Sequence, residues 1–172
     1  MEPAAEGRWR AAGGVVGPAA FVAAWSVLGA VRPGYSAVHD PISRLAEVGA
    51  STRVPMTLGF LAFGAGVAAY AGSLRRALPG GAATAAAATA AATVGVALLP
   101  LGASFGDGPH GVAAGIGYAT LAAVPLLGAR ALAARGERTA AAWSVASGVA
   151  AAVGLLRGRW DGDRPSPSHP PR

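Results

Sequence analysis

Residues 110–129 read HGVAAGIGYATLAAVPLLGA, a run without Asp, Glu, Lys or Arg that ends at Arg130. About 20 apolar residues in a helix cross the hydrocarbon core of a bilayer, whereas a surface helix of a soluble protein needs a charged outer face. This stretch has no residues for such a face, so it reads as a transmembrane helix. Four more uncharged runs accompany it: 14–31, ended by Arg32-Pro33-Gly34; 54–73, stopped by Arg75-Arg76; 81–101, mostly Ala and Thr as far as Thr93; and 139–156, closed by Arg157. The sequence therefore predicts an all-α polytopic transmembrane helical bundle of about five spans over residues 14–156. Residues 1–13 are expected to be a cytoplasmic N-terminal segment, and the Pro- and Ser-rich residues 157–172 a disordered polar tail.

Composition supports this. Of 172 residues, 53% are hydrophobic and 13% charged, the latter about half the share in soluble domains. A soluble Ala-rich bundle would still need charged outer faces. The net charge of +6 comes from 14 basic residues, all of them Arg, placed mainly in loops and tails. That placement sets membrane orientation and implies no nucleic-acid partner. With the N-terminus inside, segments 1–13, 74–80 and 130–138 carry seven Arg against three in 32–53 and 102–109. The expected location is a cell membrane with a cytoplasmic N-terminus, although the Arg-bearing tail evens the tally if it lies outside. The first apolar run also looks like a signal peptide with cleavage after Ala30, but it is long for an h-region and reads as a retained helix. The chain has no Cys, which excludes disulfides, thiol catalysis and Cys-ligated metals.

Small residues recur at helix-packing spacing at Gly13/Gly17, Gly111/Gly115 and Gly148/Ala152. Trp9, Tyr35, Phe105 and Trp160 fall near the expected interfaces, while Trp25 and Trp143 fall within spans as packing residues.

Two loops carry most of the polar chemistry. Residues 32–49 read RPGYSAVHDPISRLAEVG. Asp40-Pro41 resembles a helix start, with Ile42, Leu45, Ala46 and Gly49 on one side, so a short amphipathic helix on the membrane surface is expected after the first span. Residues 102–111 read GASFGDGPHG, where Pro109 suits a first helical position and leaves Asp107 and His110 at a helix start. Two spans separate the loops, so both lie at the same membrane face. The candidate polar site is Tyr35, Ser36, His39, Asp40, Ser43, Asp107 and His110.

These two segments, GYSAVHDPISRL at 34–45 and Asp107 with His110-Gly111, resemble the bacterial membrane family known as domain of unknown function 998. The similarity runs from about Gly14 to Leu156. It implies a multi-pass membrane protein, usually of six spans, and no particular activity. Here a polar tail stands where a sixth span would be expected.

Three functional readings follow. His39, Asp40, Asp107 and His110 could serve a surface hydrolase or a zinc site with an open position. No HExxH-type motif is present, and helix capping or solvent exposure explains the same residues, so no metal is assigned. Transport of a small neutral solute could use Ser26, Thr57, Thr84, Thr89, Thr93, Tyr118, Ser144 and Ser147. Such hydroxyls commonly bond their own helices, however, and the spans hold no Asp, Glu, Arg or Lys. A small membrane subunit or scaffold acting by association, rather than an enzyme, needs the least special chemistry and is the expectation. Its partners would be the lipid bilayer and other membrane helices or copies of itself. No phosphate loop, nucleophile elbow or haem motif appears, and no cofactor is implied.

Overall fold

Proline and glycine set the helix ends. The computed structural model describes residues 3–78 and 80–162, with side chains described between residues 8 and 155. Five α-helices follow in order: α1 (Pro3–Val31), α2 (Arg53–Ala77), α3 (Ala82–Leu98), α4 (Gly108–Ala134) and α5 (Arg138–Gly162). A five-residue 3-10 turn, Ile42–Ala46, lies between α1 and α2. Leu78 and Leu99 precede Pro79 and Pro100 and leave the helical region, because a following proline disfavours it. The end of α4 is a Schellman motif. Gly136 takes φ +79°, its N–H bonds the Ala133 carbonyl, and the Glu137 N–H bonds that of Leu132.

Several limits differ from the expected ones. Helix α1 begins at Pro3, so most of the expected N-terminal segment is helical. Helix α3 has 17 residues, about 25 Å, and Pro100 cuts it short of the expected 81–101 span. Helix α5 continues to Gly162, past the expected tail start at Arg157. The remainder of that tail lies outside the described residues. Among the described residues three helical stretches are long and apolar enough to cross a membrane: Arg8–Val31, Arg53–Ala77 and Gly108–Ala134. Helix α3 is apolar but shorter.

Each helix packs chiefly on its neighbours in the chain, α1 on α2, α2 on α3, α3 on α4 and α4 on α5, giving a row in chain order. At the α1–α2 seam, Gly13 and Gly17 meet Gly66 backbone to backbone. Phe21 packs against Phe60 in a tilted arrangement and against Phe63 edge-on, at ring distances of 5.1 and 5.5 Å. The α2–α3 core joins Val67, Ala71 and Leu74 to Ala82, Ala83, Ala86 and Ala90, whose small side chains permit close approach. Thr89 on α3 and Thr120 on α4 share a hydrogen bond of 2.9 Å, worth about 0.6 kcal/mol between membrane helices. On α5, Gly148 sits against Leu126 and the Ala122 carbonyl, whereas Gly111 and Gly115 face open space. Trp143 is 71% exposed and so packs on little among the described residues, contrary to its expected role, while Trp25 does join a core.

Candidate functional site

The loop after α1 is held by a closed set of polar contacts. Arg32, just beyond α1, bonds both the Arg44 carbonyl and the Glu47 carboxylate. Arg44 reaches Asp40 at 3.0 Å and Glu47 at 3.6 Å. The other Asp40 oxygen accepts the Ser36 N–H at 2.8 Å, and the Ser36 hydroxyl accepts the His39 N–H at 3.3 Å. The Ser36 amide is the main reason the Asp40 carboxyl titrates below its ordinary range, with Arg44 and Arg32 adding to the effect and partial burial opposing it. Trp25 Nε1 donates to the Tyr35 hydroxyl at 3.0 Å. Tyr35, Ser36 and Asp40 are therefore engaged in shaping the loop.

The expected surface helix is instead the 3-10 turn, and it is tucked inward. Leu45 is fully buried and Ala46 nearly so, packed with Met56, Phe60 and Ala97. Thr52 secures this by donating from its hydroxyl to the Leu45 carbonyl at 2.7 Å. Leu45 and Ala46 thus pack against α2 and α3 instead of facing lipid or water. Asp40 does not cap the turn; Pro41 occupies that position without a side-chain bond.

The second loop meets the first where the Val48 N–H bonds the Leu101 carbonyl at 2.9 Å. Asp107 occupies the cap position of α4, with Pro109 in the first turn as expected, but its carboxylate turns back to accept the Gly102 N–H at 2.8 Å. The two loops thus converge while their titratable side chains stay apart. Among the described residues no three His, Asp or Glu side chains gather closely enough to hold a metal ion. His39 is exposed.

His110 has a different setting. It is 6% exposed, its Nδ1 lies 2.7 Å from the Leu99 carbonyl oxygen, and it lines a cavity of about 160 Å³. Along α4 the wall continues through Ala114, Gly117, Tyr118 and Leu121, one helical face about 16 Å long. Thr89, Thr93 and Val96 of α3 oppose it, the three phenylalanines of α1 and α2 close the floor, and Ile42 and Ser43 of the 3-10 turn stand at the His110 end. Among the described residues no Asp, Glu, Arg or Lys lines the groove. The Thr93 hydroxyl bonds the Thr89 carbonyl, and that of Thr89 bonds Ala85 and Thr120, so neither is spare. Of the seven candidate residues, Ser43 and His110 reach this cavity. Phe21, Phe60, Phe63, Val96 and Leu121 were not among them.

No match is found among curated proteins or among solved structures. The apolar helices and a family match over residues 15–167 together point to a membrane protein, and the chain belongs to the family described as protein of unknown function (DUF998).

Proposed function

We propose that this protein is a multi-span protein of a cell membrane that binds a small, neutral, mainly apolar molecule in the groove between α1 and α4. The supporting observation is the charge-free lining that runs along one face of α4 from His110 to Leu121. Pockets that hold small molecules are mostly apolar with few polar groups, and this one follows that pattern. An ion would lose hydration there without meeting a counter-charge. Binding of a neutral molecule is also the first requirement of neutral-solute transport, so transport is a finer version of the same proposal.

The test is photolabelling of the purified protein in nanodiscs with a neutral, diazirine-bearing alkyl probe, mapped by peptide mass spectrometry. Labels concentrated in 89–96 and 110–121, and suppressed by the groove-filling Ala114→Phe, are expected. Even labelling of all lipid-facing helices, unchanged in that variant, would refute the proposal.

A second reading, a subunit acting by association, draws support from the two ends of the row. Helix α5 packs chiefly on α4 and leaves Trp143 exposed, and α1 packs chiefly on α2. Subunit counting by single-molecule photobleaching in nanodiscs tests it: monomers alone count against self-association.

A further inference from the structure

Among the described residues the buried polar side chains are Thr52, Thr89 and His110. Both threonine hydroxyls are spent, that of Thr52 on the Leu45 carbonyl and that of Thr89 on the Ala85 carbonyl and Thr120. His110 is not fully spent. A carbonyl oxygen only accepts, so the Leu99 contact places the proton of the neutral ring on Nδ1 and leaves a lone pair on Nε2. No described protein group bonds Nε2, yet no side-chain nitrogen or oxygen is both fully buried and unpartnered. Nε2 therefore keeps accessible surface, on a ring that lines the cavity. The Ser43 hydroxyl, also without a partner among the described residues, lines the same cavity from the 3-10 turn.

We infer that the groove selects a single-chain alcohol, an inference that rests on the groove being a binding site. The ligand hydroxyl donates to His110 Nε2 and accepts from the Ser43 hydroxyl, while the chain runs between Phe60, Phe63, Val96 and Leu121. A carboxylate offers only acceptors to the Nε2 lone pair and brings an uncompensated charge into an uncharged lining. A hydrocarbon leaves Nε2 unbonded. The cavity is comparable to a protein cavity of about 150 Å³ that holds benzene, which suits one slender chain better than a pair of acyl chains.

The experiment uses the full chain in phosphatidylcholine nanodiscs and a decanol analogue carrying a diazirine near its methyl end. Displacement of label is compared for decanol, decanoate, decane and a diacylglycerol. Decanol is expected to displace about tenfold better than decanoate or decane, the scale of one hydrogen bond. In His110→Asn the amide N–H can still serve the Leu99 carbonyl, but the Nε2 acceptor is gone. Labelling should weaken but stay within the groove there, while the alcohol preference collapses. Ser43→Ala removes a hydroxyl with no described protein partner and should reduce the preference without disturbing the fold. Equal displacement by decanoate or decane, or a preference surviving in His110→Asn, would overturn the headgroup assignment. Equal displacement by the diacylglycerol would overturn the single-chain assignment. Absence of label from the groove in wild type would instead remove the binding site itself.

Discussion

Helices α1 and α2 approach so closely that a Cβ on Gly66 would lie 2.6 Å from the Gly13 carbonyl oxygen, 2.7 Å from Gly17 Cα and 3.0 Å from Gly17 N. All three are backbone atoms, so no rotamer change relieves the clash, and the helices must separate by about 0.8–1 Å to restore van der Waals distance. A gap of that size forfeits a quarter to a half of each dispersion contact along the seam. Overpacking of this kind costs about 1–3 kcal/mol, against which alanine returns about 1 kcal/mol of helix propensity. Gly66→Ala should therefore lower stability by up to about 2 kcal/mol. Gly115→Ala supplies the control, because nothing lies within 4 Å of its would-be Cβ. That variant should keep the propensity gain and be more stable by about 0.5–1 kcal/mol. Both would be measured by SDS titration in mixed micelles, following helix content by circular dichroism. A Gly66→Ala protein as stable as Gly115→Ala would refute the close contact between α1 and α2.

Thr52→Val keeps the volume but leaves the buried Leu45 carbonyl without its donor, and should cost about 1–3 kcal/mol in the same titration. Because the folded-state pKa of Asp40 lies below its unfolded value, its contribution is present above the unfolded pKa and is lost as pH falls through the folded one. Asp40→Asn should thus be less stable than wild type near pH 6, and the difference should shrink as pH drops below about 3.8; a constant difference would exclude this origin. The chain has no native Cys, so single cysteines report topology directly. With a cytoplasmic N-terminus, Ser104→Cys should react with an impermeant maleimide on intact cells and Arg135→Cys only after permeabilisation. The reverse pattern would overturn the expected orientation.

The helical architecture can be read from the uncharged runs because a helix buried in lipid needs no polar stripe. The same property hides the groove. On α4 every face is apolar, so nothing in the spacing of Ala114, Gly117 and Leu121 separates a cavity wall from a lipid-facing surface. Helix-packing motifs suffer similarly: Gly13/Gly17 and Gly148 mark tight contacts, while Gly111/Gly115 has the same spacing and faces open space. Two intervening spans imply that the loops share one end of the row, and the Val48–Leu101 bond joins them there. Their side chains were harder to assign, because Asp40 and Asp107 bond amides in their own loops instead of turning toward one another. His110 stood out as polar at a helix start, but its burial depends on Leu99 and the folded-in 3-10 turn, which only tertiary structure supplies.

The row of helices also bears on how the protein is made. Because each large interface joins neighbours in the chain, every helix meets a packing surface already completed by the segment synthesised just before it. Helix α2 can dock on α1 while α3 is still in the ribosome, and no seam waits for a distant segment. Loop-closure entropy stays small at every step. Ala-rich α3, apolar but only 17 residues long, arrives with the α2 face ready to receive it. The groove forms only once α4 is in place, so the nascent chain acquires its cavity as a late step in its own biogenesis.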